Sequence, residues 1–128
     1  MDFLKTWNGQ LYAVLRIVAG FNFLWHGTQK LIGFPPGAPE GLPAMIVYVA
    51  GPIELIGGLL LIIGLAVRPV ALLCSGLMAA AYWMAHGTKA FLPIQNGGEL
   101  SMIYCFLFLF IASHGAGIWS VDAGRGDA

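Results

Sequence analysis

The side chains that could carry chemistry in this sequence are five ionisable residues set within or beside long apolar segments: His26, Lys30, Glu54, His86 and Glu99. His26 and Lys30 are four positions apart, so they would share one face of a helix. A histidine and a carboxylate together can take up and release protons, and all five side chains can hydrogen-bond a polar ligand. We therefore predict that these five residues form the ligand-binding site and line one polar cavity.

Three uses of such a cavity are open. The first is a metal site from His26, His86 and a carboxylate, but no two histidines at helical spacing fix the ligands on one helix, so no metal is predicted. The second is a site for a lipid-soluble molecule such as a quinone, whose carbonyl oxygens would accept hydrogen bonds from His26, Lys30 or His86. The third is structural, with hydrogen bonds between helices that contribute about 1 kcal/mol each.

The composition places these residues in a membrane protein. Of the 128 residues, 59% are hydrophobic and 9% are charged, and the mean hydropathy is +0.81. Soluble domains carry roughly 25% charged residues, and a chain this short cannot bury so much apolar surface in a water-soluble core. The formal net charge is zero and no basic patch stands out, so nucleic acid is not an expected partner. The lipid bilayer is the expected surrounding.

Glu54 is the residue that most needs an explanation. It interrupts an apolar run over residues 45–67, which is long enough to cross a bilayer because a crossing takes ~20 residues. An acidic side chain in hydrocarbon costs roughly 3 kcal/mol, so Glu54 should face the protein interior and have a partner there. We predict a structural ion pair between Arg16 and Glu54. The alternative is that Arg16 extends its long side chain to the membrane surface.

Apolar length predicts an all-α fold, a transmembrane four-helix bundle that forms one domain over residues 1–128. The spans are expected at about residues 10–32, 44–67, 69–87 and 98–113. Prolines and glycines over residues 33–43 break the chain after the first span, and Pro69 suits the start of the third helix. The polar tail over residues 120–128 is expected to fray.

Antiparallel spans and helix rise place the five candidate site residues in one half of the bundle, which we predict to be the outer half. One end of the bundle is flanked by Lys5, Arg68 and Arg125, with Arg16 nearer to it, and the other by Lys30 and Lys89. Cytoplasmic loops carry the excess of basic residues, so both termini are predicted to be cytoplasmic. The expected location is the inner (plasma) membrane of a bacterium. The first apolar segment is too long for a signal-peptide core and is expected to remain as a span.

Several stretches, taken in order, carry a family resemblance: residues 16–20 (RIVAG), 23–31 (FLWHGTQKL), 51–58 (GPIELIGG), Arg68, 96–99 (NGGE) and 115–122 (GAGIWSVD). In this arrangement the chain resembles the DoxX family of small membrane proteins. The resemblance implies four transmembrane helices and a link to redox biology, since one branch resembles a subunit of thiosulfate:quinone oxidoreductase. Cys74 and Cys105 form no CxxC pair, so a disulfide-exchange role is not expected.

Two function hypotheses follow. The first is a redox-associated membrane subunit that binds a quinone or another hydrophobic small molecule in the outer-half cavity, with a redox partner protein or a second copy as its neighbour. Quinone is the candidate cofactor, and whether the chain is itself an enzyme is left open. The alternative is a non-catalytic assembly or interaction protein whose polar residues are structural. In that case Gly57, Gly58 and Gly64 would serve helix packing or oligomerisation.

Overall fold

The computed structural model describes residues 1–128 and confirms the all-α fold class, because every regular element is helical. The elements in chain order are α1 (Asp2–Lys5), α2 (Asn8–Ile32), a π-helical turn (Ile46–Ala50) that runs directly into α3 (Gly51–Ile63), α4 (Val67–Ala85), α5 (Pro93–Asn96), α6 (Glu99–His114) and α7 (Val121–Gly124). The proline- and glycine-rich residues 33–43 have no regular secondary structure.

Four long helical segments overlap the four predicted spans. Two of them, Ile46–Ile63 and Val67–Ala85, are long and apolar enough to cross a membrane by length and composition. α6 is apolar but has 16 residues, and α2 has 25 residues and includes Arg16 and Lys30. The crossing of a bilayer by all four helices stays a prediction.

α2 and α3 pack as an antiparallel pair whose backbones approach closely at glycines. A Cβ atom added to Gly20 would lie 2.6 Å from the Gly58 carbonyl oxygen, and one added to Gly58 would lie 2.7 Å from the Gly20 carbonyl oxygen. Side chains larger than hydrogen are excluded at both positions, as at close helix crossings in membranes. Because these contacts pair residue 20 with residue 58, they also fix which levels of the two helices face each other.

An aromatic cluster joins α2 to α6 in the centre of the molecule. Phe23 and Phe108 are fully buried, with ring centroids 4.7 Å apart. Tyr104 stacks on Phe108 at 5.3 Å. α6 is attached to α4 by apolar packing and by the Ser75 hydroxyl, which donates to the Cys105 carbonyl oxygen at 2.7 Å. Aromatic packing between α2 and α6 and the contacts between α6 and α4 therefore form the core of the molecule.

Pro52 accounts for the π-helical turn before α3. Proline has no N–H with which to bond the carbonyl four residues earlier, that of Tyr48, so the regular α-helical bond is missing there. The helix widens over Ile46–Ala50 and continues directly as α3. Turns of this kind are frequently found at functional sites, and Glu54 lies in the first turn of α3.

The start of the C-terminal tail is held against the helices by Asp122, so the prediction that the tail frays from Ser120 is wrong at its start, whereas residues 123–128 are exposed. Asp122 is 6% exposed, and its carboxylate accepts hydrogen bonds from the backbone N–H groups of Ala66 and Val67 at 2.9 Å each. These bonds cap the start of α4. That helix consequently begins at Val67, two residues before the expected start at Pro69.

The predicted Arg16–Glu54 ion pair is also wrong. Arg16 is fully buried, and its guanidinium donates to the backbone carbonyls of Leu61, Ala116, Ile118 and Trp119. The Gly20–Gly58 register places Arg16 level with the end of α3, whereas Glu54 lies at its start. The two are separated by about 12 Å along the helix axis at 1.5 Å per residue. Arg16 needs no carboxylate partner, because the four carbonyl oxygens accept hydrogen bonds from its guanidinium.

The contacts of Arg16 and Asp122 bring three parts of the chain to one end of the molecule: the start of α2, the turn between α3 and α4, and the segment after α6. The loops over residues 33–43 and 86–98 lie at the opposite end. Arg68 is at the same end as the termini, as expected from the antiparallel arrangement. Which end faces the cytoplasm stays a prediction.

Candidate functional site

A buried ion pair joins two of the predicted site residues. The Lys30 Nζ atom lies 2.7 Å from the Glu54 Oε2 atom, and the side chains are 18% and 4% exposed. Lys30 is in the last turn of α2 and Glu54 in the first turn of α3. The helices meet closely there, since a Cβ atom added to Gly27 would lie 2.6 Å from the Gly51 carbonyl oxygen. The close approach allows the ammonium group to reach the carboxylate.

His26 lies one turn before Lys30 on the same face of α2. The Lys30 ammonium is 3.5 Å from the His26 backbone carbonyl oxygen. The imidazole is partly buried, and its ring is 6.2 Å from that of Tyr104 on α6, in an edge-on arrangement. Neither ring nitrogen makes a hydrogen bond within the chain, so both are available to a ligand.

Tyr104 is the site residue that sequence reasoning missed. It is 7% exposed and lies between the His26 and Phe108 rings. Its hydroxyl makes no hydrogen bond within the chain. Every fully enclosed side-chain nitrogen or oxygen atom has a partner, so this hydroxyl keeps some open surface. The only signal in the sequence is a lone phenol in an otherwise apolar stretch of α6.

His86 and Glu99 make no hydrogen bond or ion pair with this cluster. The His86 Nδ1 atom is 3.1 Å from the Asn96 backbone oxygen, which ties the end of α4 to α5. Glu99 is exposed in the first turn of α6, where the helix dipole favours a carboxylate. The structure therefore brings together His26, Lys30 and Glu54, adds Tyr104, and leaves His86 at the end of α4 and Glu99 at the start of α6 outside this cluster.

Two surface grooves of the molecule lie away from these polar residues. One, of about 600 Å³, runs between α4 and α6, and the other, of about 450 Å³, is lined mainly by α4 and by Ile53 of α3. Both are open, apolar and at the surface of the helices. The single polar cavity predicted from the sequence consequently stays a prediction.

The polar side chains near the C-terminal end of α2 differ in whether they need a ligand. The ion pair satisfies both of its charges, so it needs no ligand for stability. The His26 imidazole and the Tyr104 hydroxyl are different, because they are hydrogen-bonding groups in an apolar region without partners in the chain. A molecule with a carbonyl or hydroxyl oxygen could accept from or donate to both of them.

Similarity to known proteins decides the family. The DoxX family model matches residues 11–87. The chain belongs to the DoxX family. This is a family of small membrane proteins, and the two long apolar helices agree with a membrane location for this DoxX protein.

Two relatives of this DoxX protein cover most of its length. An "Uncharacterized protein" of Haemophilus influenzae is 40% identical, over 95% of this chain and 96% of the relative. A Bacillus subtilis protein named "Putative oxidoreductase CatD" is 30% identical, over 85% of this chain and 82% of the relative. No solved structure matches the chain significantly.

Proposed function

We propose that this DoxX protein is a redox-associated integral membrane subunit that binds a quinone, or another lipid-soluble carbonyl compound, between α2 and α6. The observation that carries the proposal is the pair of unpartnered polar groups on His26 and Tyr104. The Lys30 ammonium, which pairs with Glu54, lies 3.5 Å from the His26 backbone oxygen, and the His26 ring lies edge-on to that of Tyr104 at 6.2 Å. Ligand sites typically combine a mostly apolar lining with a few such polar groups.

The chemistry of a quinone suits this arrangement. Its ring is flat and apolar and would pack beside the Tyr104 ring, which itself stacks on Phe108, while a carbonyl oxygen would accept from the Tyr104 hydroxyl or the His26 imidazole. The redox association is supported by the relative named as an oxidoreductase, which aligns with most of this chain. His86 and Glu99 would lie at the outer edge of such a site.

The membrane arrangement forms part of the same proposal. Residues 1–128 would be one domain with four crossings, made by α2, the Ile46–Ile63 segment, α4 and α6. Both termini would face the cytoplasm and the Lys30–Glu54 pair the outer half of the inner membrane. A quinone dissolved in the bilayer would then reach the site laterally, without entering water.

The test is binding of a short-chain quinone to the protein in mild detergent, together with solvent extraction of any quinone that copurifies. Tyr104→Phe removes one hydroxyl and keeps the ring. It should weaken quinone binding roughly fivefold, because one hydrogen bond contributes about 1 kcal/mol. His26→Ala should weaken binding as well. Tyr48→Phe is the matched control, because Tyr48 is 74% exposed and should bind as the wild type does. Absence of binding, or equal binding by all variants, would contradict the proposal.

A non-catalytic assembly or interaction protein is the second candidate. It is favoured by the ion pair itself, since Lys30 and Glu54 satisfy each other, and by the glycines that serve helix packing within the chain. Under this alternative the polar residues fix the register of α2 against α3. It predicts that no quinone copurifies and that Tyr104→Phe leaves quinone binding unchanged.

A further inference from the structure

We propose that the groove between α4 and α6 holds an anionic phospholipid, with the headgroup phosphate at Arg68 and an acyl chain along the groove. This lipid site is separate from the proposed quinone site. The quinone site lies near the C-terminal end of α2 and shares no residue with the groove. The two proposals can therefore fail independently.

The groove has the size and the lining of a ligand site but opens along one side. Its volume is about 600 Å³, within the range of roughly 300–1,000 Å³ that small-molecule sites occupy. Its residues include Arg68 and Leu72 from the first turns of α4 and Phe106, Leu109, Phe110 and Ala112 from α6. Leu72 and Phe106 are 57% and 65% exposed. In a membrane protein this open apolar surface faces lipid.

Arg68 stands at the polar end of the groove with hydrogen-bonding capacity to spare. Its guanidinium donates to the Ala112, Ser113 and His114 carbonyl oxygens at 3.1, 2.6 and 3.2 Å. These bonds cap the end of α6 and use three of the five N–H donors of an arginine. Arg68 is an exposed residue, and a phosphate can accept from the two donors that make no bond within the chain, because its oxygens match the fork of a guanidinium.

The charges at this end of the molecule leave Arg68 without an anion. Lys5 pairs with Asp2 at 2.8 Å and Arg125 lies 3.9 Å from Asp127, whereas no carboxylate lies within 4 Å of Arg68. The end of α6 offers a negative dipole equivalent to only about half a charge. An exposed cation next to an open apolar groove is complementary to an anionic lipid, which has a phosphate and a long apolar chain in the same molecule. A soluble anion would satisfy the cation and leave the groove empty.

The experiment is native mass spectrometry of the detergent-purified protein with equimolar phosphatidylglycerol and phosphatidylcholine of identical acyl chains. The wild type should retain phosphatidylglycerol about fivefold better, since a basic residue at an anionic lipid surface contributes about 1 kcal/mol. Arg68→Gln should remove this preference. Lys5→Gln is the charge control and should keep it, because Lys5 already has a carboxylate partner.

A second pair of variants tests the groove rather than the charge. Leu72→Trp should fill the groove and lower retention of phosphatidylglycerol several-fold, while Leu73→Trp should not. The two leucines are equally exposed, at 57% and 56%, and Leu73 lines only the other groove. If Arg68→Gln does not fold, because α6 loses its cap, the Leu72 and Leu73 variants decide the question.

Equal retention of the two lipids by the wild type would overturn the proposal, as would loss of retention in Leu73→Trp to the same extent as in Leu72→Trp. Excess inorganic phosphate distinguishes the sources of the anion. It should displace little phosphatidylglycerol, because it cannot fill the apolar groove. Complete displacement would mean that Arg68 binds a free anion, and the lipid site would then be wrong.

Discussion

Removal of one partner from the Lys30–Glu54 pair should destabilise the protein strongly, whereas removal of both should not. At 2.7 Å and an effective dielectric constant of about 20, the attraction between the two charges is about 6 kcal/mol. Desolvation of each ion offsets several kcal/mol of this. The net contribution of the pair to the free energy of unfolding is therefore small. A single charge left in place keeps its desolvation cost and loses the attraction, so a single variant should be destabilised by roughly 3–5 kcal/mol.

Because Lys30 is more exposed than Glu54, the two single variants should lose different amounts of free energy of unfolding. Glu54→Leu leaves the Lys30 ammonium, whose side chain is 18% exposed and sits in the last turn of α2, so it can extend to the membrane surface. Its cost should be near 3 kcal/mol. Lys30→Met leaves the Glu54 carboxylate, which is 4% exposed and too short to reach water, so its cost should be near 5 kcal/mol. Glu54→Gln should cost less than Glu54→Leu, because the amide still accepts from Lys30.

The assay is reversible unfolding in mixed detergent micelles, followed by circular dichroism, for the wild type, both single variants and the Lys30→Met/Glu54→Leu double variant. The double variant should lose less free energy of unfolding than either single variant. Lys89→Met is the control, since Lys89 is an exposed cation in the loop region at the same end without an ion pair, and it should stay within about 0.5 kcal/mol of the wild type. Additive losses in the double variant would refute the reasoning.

Three further predictions test the packing and the topology. Gly58→Ala should destabilise the protein by roughly 1–3 kcal/mol in the same unfolding assay, because its Cβ atom would lie 2.7 Å from backbone and side-chain atoms of α2. Gly76→Ala is the control and should be neutral or stabilising, because nothing lies within 4 Å of its Cβ atom. Arg16→Lys should lower the thermal midpoint in detergent, since an ammonium group has three donors and cannot span four carbonyls; an unchanged midpoint would mean that these bonds contribute nothing. A cysteine introduced at Ala38 should react with a membrane-impermeant reagent only from outside the cell, and a cysteine at Arg125 only after lysis; the reverse pattern would invert the proposed orientation.

The helices could be predicted from the sequence because apolar length and proline–glycine punctuation act locally. The loop over residues 33–43 and the helix after it follow from residue types alone. The burial of Glu54, and its need for a partner, also follow from its cost in hydrocarbon. Each of these inferences uses only neighbouring residues and requires no knowledge of how the helices face each other.

The identity of the partners could not be predicted, because partners depend on helix register. Glu54 pairs with Lys30 rather than Arg16, since the Gly20–Gly58 contact sets the level of α3 against α2. The sequence does not reveal the role of Asp122, because the backbone N–H groups that its carboxylate accepts from lie 55 and 56 residues away in the chain. Tyr104 looks like an apolar residue of α6 until the fold places its ring 6.2 Å from that of His26.

The most direct test of the proposed quinone site is photoaffinity labelling in membranes with an azido-quinone, followed by mass spectrometric mapping of the labelled peptides. We expect light-dependent labelling of the segments that contain His26 and Tyr104, suppressed by excess unlabelled quinone and reduced in Tyr104→Phe. Labelling confined to the lipid-facing surfaces of α4 and α6, with no competition by unlabelled quinone, would contradict it.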